Sequence, residues 1–381
     1  MNFDLSDEQR MVVDSVRRYL DDKLEPEIRA HGEQFIPKPL MQTWTKALTE
    51  YGHITAPHPT EDGGLGMGWL THLLIFEEIA YSSLDVAIPG FINAVAAELL
   101  RRVGSEKIKQ RYLTGILAGE TFVSMGVSEP DVGSDVAAVK TRAVRDGDHW
   151  VINGEKTWIT NGVYSDILIC TCKTDDHQIS HILIDRDESG YEVRDIQKMA
   201  LNGQSTAQIF LTDCRVPVAN TLGEVGDGVR NTLKVFEIAR CHMAMWSIGI
   251  ARRALHEAIV YARERTQHGK KIAGHQLIAE KIATMATRID AARLLTYRAI
   301  ALVDSGERAE SECSMAKWYA TEMAIDATRN ALQIHGGNGV TKDFIVERLV
   351  REAIICPIPD GTTEIQKLII SRAVTGVPAF R

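Results

Sequence analysis

The 381-residue sequence has no stretch approaching the roughly 20 apolar residues that a bilayer-spanning helix needs, no run of lysines and arginines, and no paired CxxC spacing. The first absence leaves no segment for membrane insertion. The second, with a formal net charge of −8, argues against a nucleic-acid binder, because phosphate contacts require a concentrated basic surface. The third argues against a zinc or dithiol site: Cys170, Cys172, Cys214, Cys241, Cys313 and Cys356 lie scattered, as expected of reduced and mostly buried thiols in a cytoplasmic protein. The amino terminus also lacks the cations and apolar stretch of a targeting leader. Met1-Asn2-Phe3-Asp4-Leu5-Ser6-Asp7-Glu8-Gln9 carries acids instead and is expected to be part of the fold.

What is present is ordinary globular material, 45% hydrophobic and 25% charged, in a length that suits two or three packed units. Ser6-Asp7-Glu8-Gln9 has the form of a capping box and predicts a helix start. Helical spacing of apolar residues follows, and returns over Leu40–Tyr51, Trp69–Tyr81, Ile88–Val103 and Glu106–Ala118. Residues 1–120 therefore read as a helical domain. From Thr121 the texture changes to short β-rich runs, Thr121–Val127, His149–Ile152, Ile167–Lys173, Ser180–Asp185 and Ala207–Asp213, separated by turn residues. Asp146-Gly147-Asp148 has hairpin character. Residues 121–227 read as a β domain. From Gly228 helical patterns return, clearest in Ile282, Met285, Ile289, Ala292 and Leu295 on one face, so 228–381 reads as a helical bundle. The order α, β, α without a βαβ rhythm argues against a doubly wound dinucleotide fold, and Gly63-Gly64-Leu65-Gly66-Met67-Gly68, with no strand before it, reads as a plain turn.

Two segments carry candidate chemistry. Val127-Ser128-Glu129-Pro130-Asp131-Val132-Gly133-Ser134-Asp135 gathers hydroxyls, acids and flexible backbone at a strand end, and on these grounds alone is either a surface turn or a ligand cradle. Asn153-Gly154-Glu155-Lys156-Thr157-Trp158-Ile159-Thr160-Asn161-Gly162 offers an indole beside a hydroxyl, which suits a flat heterocycle or simply a half-buried strand.

Together these segments resemble the acyl-CoA dehydrogenase family, whose flavin loop reads (V/L)-(T/S)-E-P-x-x-G-S-D and whose second flavin segment reads K-x-W-I-T-(N/S)-G. The resemblance runs along the chain. Leu5-Ser6-Asp7-Glu8-Gln9 is similar to the family's first helix, and Leu222-Gly223-Glu224-Val225-Gly226-Asp227-Gly228 to its domain-joining loop. Arg263-Glu264-Arg265-Thr266-Gln267-His268-Gly269 is similar to its cofactor-binding turn, and Leu332-Gln333-Ile334-His335-Gly336-Gly337-Asn338-Gly339 to its QxxGGxG segment. Asp360-Gly361-Thr362-Thr363-Glu364-Ile365-Gln366 is similar to its catalytic segment.

The resemblance implies an α+β multidomain fold, with an N-terminal helical domain, a central β-barrel or sandwich domain and a C-terminal four-helix bundle, assembled as a homotetramer built as a dimer of dimers. It implies FAD between the β domain and the bundle, an acyl-CoA substrate and an electron-transfer flavoprotein as acceptor. By position, Met125, Val127, Ser128, Trp158 and Thr160 would line the isoalloxazine, Ser134 would touch the diphosphate or the coenzyme A, and Thr362 and Glu364 would lie near the FAD ribose and phosphates. Arg265, His268, Gln333 and Gly337 would reach the FAD of a neighbouring subunit; a guanidinium suits pyrophosphate oxygens, and glycine lets backbone approach.

The implied reaction moves the α-proton of a thioester to a carboxylate and the β-hydrogen to flavin N5 as hydride, giving a 2-enoyl-CoA. Where the family commonly has Tyr-Glu-Gly-Thr, this chain has Pro359-Asp360-Gly361-Thr362, a base one methylene shorter behind a proline. A subset of the family keeps the base on a helix, one residue before an arginine; here Phe236-Glu237-Ile238-Ala239-Arg240 has alanine there, so Asp360 is the leading candidate. Glu237 and Arg240 are expected to hold the pantetheine. Asp85, on an otherwise apolar helix, reads as a second base for an unusual substrate or, better, as a helix-cap or exposed acid. The shorter base leaves room for a branched or cyclic acyl group. Two alternatives stand beside dehydrogenation: an enoyl-CoA reductase using the same residues in reverse, and a flavin-containing acyl-CoA binder without dehydrogenase activity.

Overall fold

Ser6 opens the first helix as its capping box requires. In a computed structural model of the chain, which describes residues 4–175 and 178–379, its hydroxyl accepts the Gln9 amide at 3.1 Å and Gln9 Oε1 accepts the Ser6 amide at 3.0 Å. Helix Asp7–Tyr19 follows, ending in a single π-helical turn, Leu20–Leu24, that no apolar spacing announces. The expected helices appear as Lys38–Thr49, Gly68–Ser82, Leu84–Val103 and Glu106–Leu117. After the strands come the long helices Gly228–Glu264, Gln276–Asp304 and Glu310–His335, then Val346–Ile355 and Thr363–Thr375. Helices first, a sheet in the middle and helices last is the architecture that the sequence implies. No helix among the described residues is long and apolar enough to cross a membrane.

By compactness the chain forms two units, one of residues up to Asp21, Leu73–Leu84 and from Glu237 onward, the other of Asp22–His72 and Asp85–Phe236. The second holds the sheet: β1 (Val123–Gly126), β2 (Arg142–Asp146), β3 (His149–Thr160), β4 (Ile167–Asp175), β5 (Gln178–Asp185), β6 (Glu192–Asp195), β7 (Thr206–Pro217) and β8 (Thr221–Leu222). The strands run in the order β6-β7-β3-β2-β4-β5-β8, with β1 parallel on β4. Asp146 faces His149 across the expected hairpin turn. Inward positions such as Trp150, Ile152, Ile159, Leu168, Ile182, Ile209 and Val216 form the core, as alternate residues on one face of a strand must. Strands β2 and β6 were not apparent from the sequence because each buries almost nothing; only Ala143 of Arg142–Asp146 is buried.

In the other unit, Met285, Ile289 and Ala292 of the expected helical face are buried, while Ile282 and Leu295 at its ends are half-buried. Gly249 lets two helices touch: a Cβ there would lie 2.9 Å from the Ala80 side chain and 3.1 Å from the Glu77 carbonyl. Beside that contact a buried charge cluster closes on itself. Arg252 donates to Glu77 at 2.7 Å and Glu78 at 2.6 Å, Arg293 donates to Glu77 at 2.5 Å, and Arg17 donates to Glu78. Buried charges need this degree of pairing to be tolerated at all.

Candidate active site

The two segments read as flavin-binding come together inside the sheet-containing unit. The Thr157 amide donates to the Ser128 carbonyl at 3.0 Å, and the Ser124 hydroxyl to the Thr160 carbonyl at 2.9 Å. Beneath them lies a pair that motif reading did not foresee. Lys156, 0% exposed, donates to the buried Glu129 carboxylate at 2.8 Å and to the Val127 carbonyl at 3.3 Å. Glu129 also accepts the amides of Lys140 at 2.6 Å and Thr141 at 2.9 Å. Burial works to raise the Glu129 carboxyl, but the hydrogen bond and charge of Lys156 and the Thr141 contact outweigh it and hold the group below the ordinary carboxylate range.

Two residues after Lys156 the strand bulges, and Trp158 takes φ 62° with its side chain 62% exposed. A bulky residue in that backbone region costs about 1–3 kcal/mol, and a bulge re-aims the side chain it carries. The cost sets a bare indole on the surface, among half-buried Met125, Val127, Ser128 and Thr160, with Ser134 exposed farther along the loop. A flat face, two hydroxyls and apolar edges suit a flavin ring.

The carboxylate loop lies in the other unit, between helices Val346–Ile355 and Thr363–Thr375. Asp360 and Gly361 both adopt left-handed backbone, φ 55° and 91°, which aspartate tolerates and glycine prefers. Thr362 caps the following helix, its hydroxyl accepting the Ile365 amide at 3.5 Å. Gln366, buried, donates to the carbonyls of Asp360 at 3.2 Å and Gly361 at 2.8 Å. From helix Glu310–His335 the Lys317 ammonium, 1% exposed, reaches the carbonyls of Pro357 at 3.3 Å, Pro359 at 2.5 Å and Gly361. Asp360 is half-buried. Burial pushes its carboxyl above the ordinary range, against the opposing pull of Lys317 and Arg240.

Arg240 is buried, which lowers its affinity for a proton, and the alternative base position beside it is a buried Ala239. Glu237 is half-buried and raised by burial, its carboxylate accepting the Ala309 amide at 3.4 Å. Glu364 is held below its ordinary value by its own amide and by the Thr362 hydroxyl.

A third group of expected residues shares a cavity of about 520 Å³ lined by Arg265, His268, Gly337, Tyr261, His335 and Gly336 among others. Arg265 and His268 come from one motif and Gly337 from another, distant in the chain. No atom stands within 4 Å of where a Cβ would project from Gly336 or Gly337, so the backbone there is open to an approaching ligand. The Tyr261 and His335 rings stack at 4.3 Å. A cation, aromatic rings and open backbone fit the anionic and aromatic parts of FAD. Gln333 is exposed near the same helix end and is not among the lining residues.

Asp85 is not an exposed acid. It is buried in the first turn of helix Leu84–Val103 and accepts the Gln204 amide at 3.0 Å, where Gly203 packs so closely that a Cβ would meet the carboxylate at 2.8 Å. Lys156, Lys317 and Gln366 are the polar residues that sequence reasoning missed. The available signal was a lysine on the helical face of the small residues Cys313, Ala316 and Ala320.

Comparison with known proteins finds relatives along the whole chain. The family models for the acyl-CoA dehydrogenase N-terminal, middle and C-terminal domains match residues 6–120, 124–214 and 226–375. A probable acyl-CoA dehydrogenase of Bacillus subtilis is 37% identical, covering 98% of this chain and 99% of that protein. A subunit of the caffeyl-CoA reductase-Etf complex of Acetobacterium woodii is 35% identical over 96% of this chain and 98% of its own. The structure of butyryl-CoA dehydrogenase from Megasphaera elsdenii superposes with a TM-score of 0.94 at 30% identity, covering 98% of this chain and 100% of that one.

Proposed function

This chain belongs to the acyl-CoA dehydrogenase family, and from that premise we propose that Asp360 is its catalytic base. The protein is a FAD-dependent oxidoreductase acting on acyl-CoA. FAD, when bound, supplies the acceptor for the β-hydrogen, which leaves as hydride. Asp360 takes the α-proton, so that two C–H bonds break and one carbon–carbon double bond forms. The observation that carries this reading is the half-buried loop of Asp360, whose flanking carbonyls are held by Lys317 and Gln366, with burial raising the carboxyl. A carboxylate lifted out of its ordinary range binds a proton more tightly and is the better base.

In the same unit as Asp360, Glu237 and Arg240 hold the pantetheine arm; in the sheet-containing unit, Met125, Val127, Ser128, Trp158 and Thr160 receive the flavin ring. Ser134, Thr362 and Glu364 lie toward its phosphates or the coenzyme A, and Arg265, His268, Gln333 and Gly337 serve the FAD of a second subunit in a homotetramer. The domain scheme 1–120, 121–227 and 228–381 goes with this arrangement. An electron-transfer flavoprotein is the acceptor, in keeping with the likeness to a subunit of an Etf complex. A cytoplasmic location suits six free, buried cysteines. The same likeness favours a second reading, reduction of an enoyl-CoA by the same residues in reverse.

Anaerobic mixing with a panel of straight, branched and cyclic acyl-CoAs should bleach the yellow protein. Asp360→Ala should keep its flavin spectrum and lose about 10²–10⁴-fold in bleaching rate. Undiminished bleaching in that variant would remove Asp360 from the role. If the photoreduced protein is reoxidised by enoyl-CoAs, and no acyl-CoA bleaches the oxidised one, the reductase reading replaces dehydrogenation.

A further inference from the structure

Helix Glu310–His335 buries Cys313, Ala316, Lys317 and Ala320 on one face. Three of the four are small, and a lysine among them must find polar partners or forfeit several kcal/mol. Its partners are all backbone carbonyls of one short loop: Pro357, Pro359 and Gly361. Gln366 holds the carbonyls of Asp360 and Gly361. The peptide groups on both sides of Asp360 are thereby fixed by side chains from two different helices.

We propose that Lys317 is a positioning residue for this enzyme, its ammonium holding the Pro359 and Gly361 carbonyls so that Asp360 and Gly361 keep the left-handed form that presents Asp360, and keeping a positive charge beside that carboxylate. This rests on the reading of Asp360 as the base. The donor count makes the device depend on protonation. An ammonium has three N–H groups for three carbonyls, whereas a neutral amine has two and must release one.

Burial lowers the Lys317 ammonium to about 8, while Asp360 raises it, Arg240 lowers it, and Cys356 and Glu364 raise it from neighbouring elements. The same charges face Asp360, whose proton affinity Lys317 and Arg240 both reduce. Two consequences have opposite positions on the pH axis. Proton abstraction begins as pH rises through the Asp360 value. It declines again when Lys317 loses its proton and the loop loses a hydrogen bond.

The test is the rate of anaerobic flavin reduction by an acyl-CoA that bleaches the parent, followed from about pH 4 to about pH 10 so that the rising limb is included. The parent should lose rate around pH 8. In Lys317→Met the alkaline decline should vanish, the rising limb should move to higher pH because a nearby positive charge is gone, and the best rate should fall roughly 10- to 100-fold. Lys317→Arg carries a charge that does not titrate in this range, so it should lose the alkaline decline while keeping the rising limb in place. A lysine that only supports the fold would lower the rate at every pH and leave both limbs where they are; that result overturns the proposal. A readout without turnover uses ε-carbon-labelled lysine: one resonance should titrate near pH 8 in the FAD-loaded parent and be missing from Lys317→Arg. Should neither variant retain FAD, the parent decides: a decline centred near pH 8 supports the clamp, and a rate flat to about pH 10 overturns it. Bleaching that survives Asp360→Ala would instead mean that the base assignment has failed.

Discussion

Lys156 and Lys317 are both withdrawn from water, and the two are stabilised in opposite ways. Lys156 meets a carboxylate that is itself held by two backbone amides. Lys317 makes its hydrogen bonds to carbonyl dipoles, and the Asp360 carboxylate acts on it through its field alone. The ion pair cancels its charges locally and acts as a rivet between the Glu129 loop and β3, since neutralising either partner would leave the other charge buried alone. The carbonyl cage satisfies hydrogen bonds but the nearby Asp360 carboxylate offsets the charge only in part, so burial brings Lys317 down to about 8. The first arrangement suits a surface that must keep one shape to receive a cofactor. The second lets a base feel, through its backbone and its field, whether a neighbouring amine is charged.

That contrast is broken most forcefully at Glu129. Glu129→Ala leaves the Lys156 ammonium buried without a counter-charge and strips partners from the Lys140 and Thr141 amides. It should cost about 3–5 kcal/mol of unfolding free energy, measured by denaturant titration, with Glu129→Gln costing less because a carboxamide oxygen still accepts. A loss below about 1 kcal/mol for Glu129→Ala would mean that Lys156 is as self-sufficient in its site as Lys317, and the distinction between rivet and cage would fall.

A smaller effect should appear with pH in the intact chain. The Glu129 carboxyl is held below its unfolded value of about 4.5, so the folded state binds a proton there more weakly than the unfolded state does. The stability it contributes is whole above that value, falls as pH drops below it, and is gone once pH passes the folded-state value. Denaturation midpoints taken from about pH 7 to about pH 3 should therefore fall more steeply in the parent than in Glu129→Gln. Parallel curves would show that the carboxylate's charge is not what the fold uses.

Neither lysine was readable as a buried group before the fold was known. Lys156 was visible as part of a motif, yet its partner lies 27 positions earlier, and the pairing depends on how the loop returns to β3. Lys317 looked like any helix lysine until the carbonyls of a loop 40 to 44 positions later were placed over it. Local signals fared better. The Ser6 capping box, the Gly147-Asp148 hairpin and the helices ending near Thr49, Ser82 and Leu117 depend on residues a few positions apart and were legible for that reason. Strands Arg142–Asp146 and Glu192–Asp195 lack a buried alternating face, so no pattern marked them. Of the readings of Asp85, the exposed acid fails because its partner, the Gln204 amide, arrives from 119 positions away.

The smallest expected effect concerns Trp158, two residues past the Lys156 rivet. Its indole is largely exposed and its backbone left-handed, so the side chain adds little to the fold. If the rivet alone holds the bulge, Trp158→Ala should shift unfolding free energy by no more than about 0.5 kcal/mol. The same change removes an aromatic face worth about 1 kcal/mol to a stacked ring, which corresponds to roughly fivefold weaker FAD binding, measured by the fluorescence of released flavin. Stability and cofactor affinity would then be separated by one residue: Glu129→Ala harms the fold, and Trp158→Ala harms only the hold on the ring. A Trp158→Ala protein destabilised by more than about 1 kcal/mol would instead make the indole part of the rivet, and the strained backbone at that position would need a structural explanation in place of a cofactor one.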